Sequence, residues 1–384
     1  MAFFGVVGSG TFAQGQRPTD YMQNLLYLKP EGDAPITALM SLAKSTPTTD
    51  PEYSYRAIEF EARHMVAGVL ADPAAVSVPV DGKAFMAPIG TVLRNARTKE
   101  QIRVTANPTV DTVMTVTRGF AGSTAAAVLN DDQWTIISTA FEEGSAGPKA
   151  TNRRGTKYRN FCQIFKEAVE ITETAKATKT STTEMTLADQ KFQALERHAQ
   201  DMERTLIFGR PSEVLGPDGH PLRTTGGILH AIEGTVNDVD LLNDGTIKDF
   251  NDFCKTFFTY GPRTRLCFCG NEWISRLNEI LDEQVTKYFS LGNDLSIYGM
   301  AFNALKTPFG TLAFRTHPLF TTDPSMTNSA LIISPEYIGK RTLRPTDYRA
   351  NQQSPGVDAQ MDQWVTETGY EIKFPQTHAY LRNL

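Results

Sequence analysis

Residues 186–209 read TLADQKFQALERHAQDMERTLIFG, and this stretch decides the fold. Its apolar residues recur at alternating spacings of four and three, which places them on one stripe of an α-helix: Ala188, Phe192, Leu195, Ala199, Met202 and Leu206. The charged residues fall elsewhere and are expected to stay in solvent: Lys191, Glu196, Arg197, Asp201, Glu203 and Arg204. Thr186 can cap the helix with Asp189 as its partner, and Gly209 in a left-handed conformation can close it before Pro211. The pattern predicts a helix of about 22 residues, roughly 33 Å long.

Such a helix is either an ordinary core helix or a long helix that packs across a sheet and organises the fold around it. The flanking segments favour the second interpretation.

The chain has 384 residues, enough for two or three domains, and its 40% hydrophobic content describes a folded, soluble protein. No apolar run is long enough to span a bilayer, and the N-terminus lacks the features of a secretory signal. The net charge of −5 argues against a dedicated nucleic-acid binder, although a protein that encloses nucleic acid remains compatible with it. Four cysteines in a chain of this length favour a reducing compartment over a disulfide framework.

Between residues 73 and 138 the pattern becomes that of an all-β module. Short strand-like runs (VSVPV, QIRVTA, DTVMTVTR and QWTIIS) alternate with the turn signals Asp81-Gly82, Asn107-Pro108 and Asn130-Asp131. The run YSYRAIEFEARHMV before the module alternates apolar and charged residues, which predicts a half-buried strand with Ile58 and Phe60 inside. The run YRNFCQIFKEAVEIT after the module predicts a returning strand. The module is therefore interpreted as an insertion between two partner strands.

The segments on either side of these strands are polar. Residues 1–48 are weakly patterned, apart from a short helix predicted at 34–44, and the polar stretch STPTTDPE follows as a break. Residues 141–157 form an extended loop rich in Gly and Pro, with a basic cluster that we call the basic segment: Lys149, Arg153, Arg154, Lys157 and Arg159. This segment is either a solvated loop or a loop that reaches an acidic surface on another subunit.

Beyond the long helix, GPDGHPLRTTGG predicts a turn-rich connection. Residues 245 to about 345 then alternate helical and strand-like patterns, which predicts a compact α/β or α+β domain. The run TIKDFNDFCKTFFTYG has helical spacing, and so does NEWISRLNEILDEQVTKYF. The last 30 residues predict terminal strands.

No catalytic or metal-binding pattern emerges from the sequence. Residues 8–13 match a G-x-G-x-x-A phosphate-binding fingerprint, but Gly15 and Pro18 follow at once and no helix begins there, so a flexible arm is expected. Cys267 and Cys269 lack the spacing and the second pair of a zinc site and are interpreted as buried small hydrophobes. The six histidines show no H-x-x-x-H spacing, and neither a G-x-S-x-G elbow nor a P-loop occurs. We therefore predict no enzymatic activity, no catalytic residue, no cofactor and no metal.

The order of these parts resembles the major capsid proteins of tailed bacteriophages, which have the Hong Kong 97-type fold, and in particular the branch with a β-rich insertion. The resemblance is carried by the 34–44 helix, by the long helix as the family's spine helix, and by short sequences at the ends of the predicted segments: Thr117-Arg118-Gly119, Gly122-Ser123-Thr124-Ala125, Glu143-Gly144-Ser145, Tyr158, Asn160, Gln163-Ile164-Phe165 and Thr225-Gly226-Gly227-Ile228. It implies an α+β capsid fold with a spine helix, an extended loop, and axial and peripheral domains.

Mapped on this sequence, the family plan gives seven parts: an N-terminal arm (1–48), a first strand region (49–72), the inserted β-rich domain (73–138), the extended loop with its return strand (139–180), the peripheral domain with the spine helix (181–244), the axial domain (245–350) and C-terminal peripheral strands (351–384). The resemblance implies a virion protein, assembled in the host cytoplasm, that forms hexamers and pentamers around double-stranded DNA. Its implied partners are copies of itself, a separate scaffolding protein, a portal and decoration proteins, with no membrane. The lysine, asparagine and glutamate of the family's cross-linking branch have no match here.

Three alternatives remain at this stage. A bacterial nanocompartment shell has the same fold but is usually shorter. A cytoplasmic α+β enzyme with a β accessory domain would need an active site assembled from distant residues. A tail component of a virion would form tubes or rings instead of closed shells.

Overall fold

The computed structural model describes residues 45–58, 60, 63–70, 72–146, 154–178, 186–242, 245–282, 290–291, 295–297 and 300–384. The glycine-rich 8–13 stretch and the helix predicted at 34–44 lie outside the described residues, as does the predicted continuation of a helix to residue 289. The chain divides into two compact units: one joins the described residues up to Tyr55 with Lys157–Leu384, and the other is Arg56–Thr156. Helices and sheets together confirm the predicted α+β class.

The helices, numbered in chain order among the described residues, are α1 (Glu173–Ala177), α2 (Leu187–Phe208), α3 (Ile228–Ile232), α4 (Ile247–Phe257), α5 (Asn271–Asp282) and α6 (Pro318–Thr322). The strands of the first unit are β1 (Ser45–Pro47), β2 (Glu52–Ala57), β9 (Thr156–Phe161), β10 (Gln163–Thr172), β11 (Ser212–Leu215), β12 (Pro221–Thr224), β13 (Asp238–Asp240), β14 (Thr264–Cys269), β15 (Ser290–Leu291), β16 (Leu295–Ile297), β17 (Met300–Lys306), β18 (Thr311–Thr316), β19 (Ser329–Ile333), β20 (Ile338–Arg349), β21 (Ala359–Ile372) and β22 (Ala379–Arg382), where β2 and β9 each run one or two residues past the unit boundary. The strands of the second unit are β3 (His64–Val66), β4 (Ser77–Pro79), β5 (Thr91–Asn95), β6 (Gln101–Val104), β7 (Val113–Thr117) and β8 (Gln133–Thr139).

The long helix α2, which we call the spine helix, has the predicted bounds. The Thr186 side chain caps it by accepting a hydrogen bond from the Asp189 N–H. Its C-terminal end differs from the prediction, because Gly209 has φ −53° and ψ 143° and is not left-handed. A glycine is still required there, since a Cβ would clash with the carbonyl oxygens of Thr205 and Thr225. The helix therefore ends by close backbone packing instead of by a left-handed turn.

The buried face of the spine helix is not the predicted stripe. Its buried residues are Ala194, His198, Met202, Glu203, Leu206 and Ile207, whereas Phe192 is 53% and Leu195 38% exposed and Ala188 is also exposed. The expectation that Glu203 stays in solvent is therefore wrong. The helix is rotated so that two polar side chains point inward and find partners, and this rotation leaves the N-terminal half of the apolar stripe outside.

Each of those two inward polar groups has a hydrogen-bond partner. His198 Nε2 lies 2.7 Å from the Thr366 hydroxyl, and burial lowers the pKa of this imidazole. Glu203 Oε1 lies 2.6 Å from His317 Nε2. His317 Nδ1 accepts the Leu319 N–H, so the Nε2 proton faces the carboxylate. These contacts fix the rotation of the helix, because a buried polar group without a partner would be destabilising.

The spine helix packs on a four-stranded sheet with the order β1-β20-β21-β10. Strand β10 pairs antiparallel with β21 over ten positions, from Gln163↔Thr368 to Thr172↔Ala359. The expectation of a polar break after residue 44 is wrong in part, because Ser45–Pro47 forms β1 and pairs parallel with β20. Proline is tolerated there because β1 is an edge strand.

The second sheet of this unit has eight strands, with the path β13-β22-β19-β14-β18-β17-β15 and β16 paired to β17. Strand β14 separates two cores: Leu266 and Phe268 face one with Leu206, and Cys267 and Cys269 face the other. The predicted alternation of helix and strand is therefore confirmed, and so is the interpretation of both cysteines as buried hydrophobes. The sheets cross the proposed boundaries, since β20 (within 245–350) joins the four-stranded sheet and β22 (within 351–384) joins the eight-stranded one.

The stretch GPDGHPLRTTGG is more regular than predicted. Strand β12 pairs with β11 to form a two-stranded hairpin, with Val214 opposite Leu222 and Leu215 opposite Pro221. The apolar run ILHAI forms the short helix α3.

The second unit is an antiparallel sheet with the order β3-β8-β5-β6-β7-β4, and a bridge between Ala67 and Val80 brings its two ends together. The unit, Arg56–Thr156, is wider than the predicted insertion at 73–138, because β3 contributes the fully buried Met65 to its core. Strand β5 was not predicted, and β3 is the end of the run that was predicted as one strand together with β2. The inward placement of Ile58 and Phe60 is wrong: β2 ends at Ala57, and the two side chains are 57% and 79% exposed.

A buried ion pair fastens β6 of the second unit to the segment after β7. Arg118 donates to both oxygens of Glu100, at 2.7 and 2.8 Å, and Glu100 also accepts the N–H groups of Gly119 and Ala126. Burial raises the pKa of Glu100, but these hydrogen bonds outweigh it and hold the pKa below its usual value. Arg118 and Gly119 belong to the short sequence that carried the family resemblance.

Two substitutions on the spine helix distinguish the predicted stripe from the observed face. Met202→Asp is expected to prevent folding because it places a charge in the core, whereas Leu195→Asp, on the 38% exposed side chain, is expected to leave the fold intact. Soluble yield and cooperative thermal unfolding of the two variants measure this. Equal behaviour of the two variants would contradict the observed rotation of the helix.

Removing Glu100 tests the ion pair of the second unit. Glu100→Ala leaves Arg118 buried and unpaired, so we expect a loss of about 3–5 kcal/mol in the stability of this unit. Hydrogen exchange of the β6 and β7 amides in the intact chain measures the loss. The control is Glu142→Ala, on an exposed side chain of the same unit, which should change stability by about 0.5 kcal/mol or less. Unchanged exchange in Glu100→Ala would show that the pair does not hold these strands.

Candidate functional site

A cleft of about 230 Å³ opens in the first unit beside the ribbon of β2 and β9. We call it the tyrosine cleft. Aromatic rings, prolines and two glycines form most of its wall, with a few polar groups among them: Tyr53, Tyr55, Tyr158, Arg159, Asn160, Pro211, Gly226, Gly227, His230, Ala231, Tyr370, Glu371, Ile372 and Pro375. It is an apolar, aromatic recess with a small number of charged side chains.

Hydrogen bonds and stacking hold the tyrosines of the ribbon in place. The rings of Tyr55 and Tyr158 stack across β2 and β9 with centroids 5.1 Å apart. The Tyr53 hydroxyl donates to the Tyr370 carbonyl at 2.7 Å, and the Tyr55 hydroxyl donates to the Ile372 carbonyl. Burial raises the pKa of both Tyr53 and Tyr55, so both phenols stay neutral and keep their protons for these bonds. Hydrogen bonds and stacking therefore fix the positions of the rings in the aromatic wall.

The floor of the cleft is organised by the carboxamide of Asn160. Its Nδ2 donates to the carbonyls of Gly226 at 3.0 Å and Tyr370 at 2.8 Å, and its Oδ1 accepts the N–H groups of Gly226 at 2.7 Å and Phe161 at 2.8 Å. Both donors and the acceptor of one side chain are thus used to join β9, β21 and the segment before α3.

Tyr370 extends this junction to the spine helix. Its hydroxyl donates to the Met202 carbonyl at 2.8 Å, and its N–H donates to the Thr225 hydroxyl at 3.3 Å. Gly369 precedes it in β21, and a Cβ there would clash with the Tyr53 hydroxyl and the Phe161 carbonyl. The glycine is therefore needed for the ribbon to pack this closely on the sheet.

Two of the five residues of the predicted basic segment, Lys149 and Arg153, lie outside the described residues. Arg154, Lys157 and Arg159 are exposed, and within the described part of the chain none of the three forms an ion pair. Lys157 and Arg159 are two residues apart in β9 and so point to the same face of the strand. Arg159 also lines the tyrosine cleft, so the structure brings one predicted contact residue to the new site.

Sequence reasoning identified Tyr158 and Asn160 as parts of a returning strand and of the family resemblance, and not as site residues. It did not identify Tyr53, Tyr55 or Tyr370 as site residues, because they approach one another across long separations in the chain. The dense tyrosine pattern of YSY followed by a distant Tyr was the one available signal.

Within the described ranges, no group of three or more His, Cys, Asp or Glu residues is arranged to hold a metal ion. None of the helices seen in those ranges is both long enough and apolar enough to cross a membrane.

A spine helix across a sheet, an α/β sheet with two cores and an inserted β unit are the parts expected of a phage capsid protein. A family model described as SU10 major capsid protein matches residues 7–384. The chain belongs to the SU10 major capsid protein family. The predicted class, a phage major capsid protein, is thereby confirmed, and the nanocompartment and tail-component alternatives give way to it.

Individual relatives were also compared. The major capsid protein of Pseudomonas phage PaMx41 is 24% identical over 417 residues, which covers 100% of this chain and 96% of that protein. Among solved structures, a chain of Microbacterium phage Oxtober96 gives a TM-score of 0.48 at 11% identity and covers 95% of each chain. A chain of the SrpI encapsulin complex from Synechococcus elongatus gives a TM-score of 0.42 at 9% identity, covering 62% of this chain and 78% of the encapsulin.

Substitution of Asn160 tests the floor of the cleft. Asn160→Ala leaves the Gly226 N–H and two carbonyls without their partner, so we expect a destabilisation of about 3 kcal/mol and faster exchange of the Gly226 and Phe161 amides. The control is Gln200→Ala on the exposed side of the spine helix, which should change stability by about 0.5 kcal/mol or less. Chemical denaturation and hydrogen exchange measure both variants. Wild-type exchange at Gly226 in Asn160→Ala would contradict the described role of the carboxamide.

Proposed function

We propose that copies of this chain assemble as hexamers and pentamers into an icosahedral shell that encloses double-stranded DNA. Membership in the SU10 major capsid protein family over residues 7–384 is the observation that carries the proposal. The shell is part of the virion, and we place its assembly in the host cytoplasm.

The surface of the protomer supports contact with further copies. The spine helix exposes Phe192 and Leu195, and the hairpin of β11 and β12 exposes Val214, Leu215 and Leu222. Apolar side chains at this level of exposure gain free energy when another surface covers them. The three exposed cations of the basic segment likewise have no partner among the described residues and are available to an acidic neighbour.

The proposed contact with DNA is independent of sequence. The chain carries a net charge of −5, and carboxylates repel phosphates. A shell with an acidic balance would therefore enclose DNA without gripping it, which suits a container that must later release its contents.

We extend the proposal to the parts of the chain and to its partners. The arm (1–48) and the extended loop (139–180) reach neighbouring subunits, and the insertion (73–138) decorates the outside of the shell or braces adjacent subunits. The peripheral domain (181–244 with 351–384) and the axial domain (245–350) form the capsomer. A scaffolding protein, a portal and decoration proteins complete the set of partners, and the chain itself has no enzymatic activity.

Electron microscopy with light scattering, on the protein expressed alone and together with its genomic neighbours, tests the proposal. Closed shells, or rings of five and six subunits, are the expected result. A monodisperse monomer or dimer under both conditions would overturn it. Shells only in the presence of a genomic neighbour would identify that neighbour as the scaffold.

Charge reversal of the basic segment tests the proposed contact with a neighbour. The double variant Arg153→Glu and Arg154→Glu should lose closed shells while the protomer stays folded, because the substituted carboxylates repel an acidic partner surface. Arg153→Lys with Arg154→Lys keeps the charge and is the matched control. Circular dichroism reports folding and electron microscopy reports shells. Normal shells from the glutamate variant would remove the basic segment from the contact.

A further inference from the structure

The hairpin of β11 and β12 carries apolar side chains on both of its faces. Strand pairing places Val214 opposite Leu222 on one face and Leu215 opposite Pro221 on the other. The exposed fractions are 50% for Val214, 76% for Leu215 and 58% for Leu222. A two-stranded hairpin is only marginally stable in water by itself, and covering these side chains would stabilise it.

The tip of this hairpin, residues 216–220, is a closed turn. The Gly216 N–H donates to the His220 carbonyl at 2.8 Å, and the Gly219 N–H donates to the Gly216 carbonyl at 3.0 Å. Gly219 has φ +75°, a conformation that favours glycine. The turn presents Pro217 and Asp218 in exposed positions, so the hairpin ends in a proline beside a carboxylate.

The tyrosine cleft has the complementary chemistry. Its wall contains the stacked rings of Tyr55 and Tyr158, and aromatic grooves are the surfaces that bind proline-containing segments. Arg159 is an exposed cation in the lining, with no ion pair among the residues described. The carboxylate in the lining, Glu371, is neutralised by a two-bond contact with Arg341 at 3.0 and 3.1 Å. The cleft therefore offers an aromatic recess with one available positive charge.

The hairpin does not reach the cleft of its own chain. Pro211 is part of the cleft wall and immediately precedes β11. The four residues of β11 span roughly 13 Å along the strand between Pro211 and the tip, and no residue of the hairpin lines the cleft. The cleft and the tip are therefore separate surfaces of one chain, and a contact between them can pass from one copy to the next.

We propose that the hairpin tip of one copy docks into the tyrosine cleft of a second copy, with Asp218 facing Arg159 of that copy. The contact joins two different surfaces, so it is heterologous, and it closes into a ring when repeated about a symmetry axis. Pro217 and Leu215 fill the aromatic recess, and the ion pair sets the orientation. This inference rests on the proposed shell function and names the acidic surface that part of the basic segment meets.

Charge exchange is the first experiment, on the full chain under the conditions that give wild-type shells. Asp218→Arg and Arg159→Asp should each lower the yield of closed shells about tenfold or more, and the double variant should restore it, because only a direct pair is repaired by exchange. Asp358→Arg reverses another exposed carboxylate of the same unit and should assemble as the wild type does.

Cross-linking then identifies the chain that supplies the hairpin. In the variant carrying Asp218→Cys and Arg159→Cys, a short bismaleimide should join different copies and give a ladder of multimers on a denaturing gel. The four native cysteines are buried and do not compete. Cross-linking within one chain, or no cross-linking, would overturn the docking, and so would wild-type shell yields from both single charge reversals.

Failure of this contact is distinguishable from failure of the proposed function. If the wild type and Asp358→Arg form no closed shells with or without their genomic neighbours, the shell function fails. If both form shells and the charge reversals also assemble normally, only the docking of the hairpin fails.

Discussion

The carboxamide of Asn160 is the contact on which the rest of the first unit depends. One side chain holds the backbone of β9, of the Gly226 segment and of β21 at a single point. Tyr370 carries the same junction to the spine helix through the Met202 carbonyl. These elements are far apart in sequence, so their relative positions are set by a few directional bonds and by the glycines that allow the backbones to approach. The tyrosine cleft exists because this junction leaves a recess between rigid parts.

Sequence reasoning succeeded where the signal was local. The N-terminal cap of the spine helix, the helix at 247–257 and the cysteines of β14 follow from capping residues and from periodicity, which depend on neighbours a few positions away. The rotation of the spine helix does not follow from these local signals. Apolar spacing selects Leu195 and rejects Glu203, but the structure buries Glu203 because His317, more than a hundred residues later, supplies its partner. Pairing of this kind is absent from any local pattern.

The dependence on local signals also explains which residues of the site were predicted and which were missed. The residues of the basic segment were found because charge is visible in sequence, and Arg159 is the one that lies in the cleft. The aromatic wall was missed because Tyr53, Tyr158 and Tyr370 come from three separate strands. The pairing of β1 with β20 was missed for a related reason, since a short Pro-containing run reads as a break until a partner edge is present. The family resemblance supplied part of the missing long-range information, because it implies how segments that are distant in sequence are arranged in the fold.

The buried and exposed polar groups of the chain follow two different physical rules. In the interior, two buried carboxylates have partners: Glu100 has Arg118 and two N–H groups, and Glu203 has His317. On the surface, cations of β9 and apolar side chains of the hairpin are left uncovered. An uncovered apolar finger of this kind contributes little to the stability of the single chain, because its side chains stay in water. In a major capsid protein such a finger has a use, because its apolar side chains are buried when copies associate. The free energy of that burial then stabilises the contact between copies.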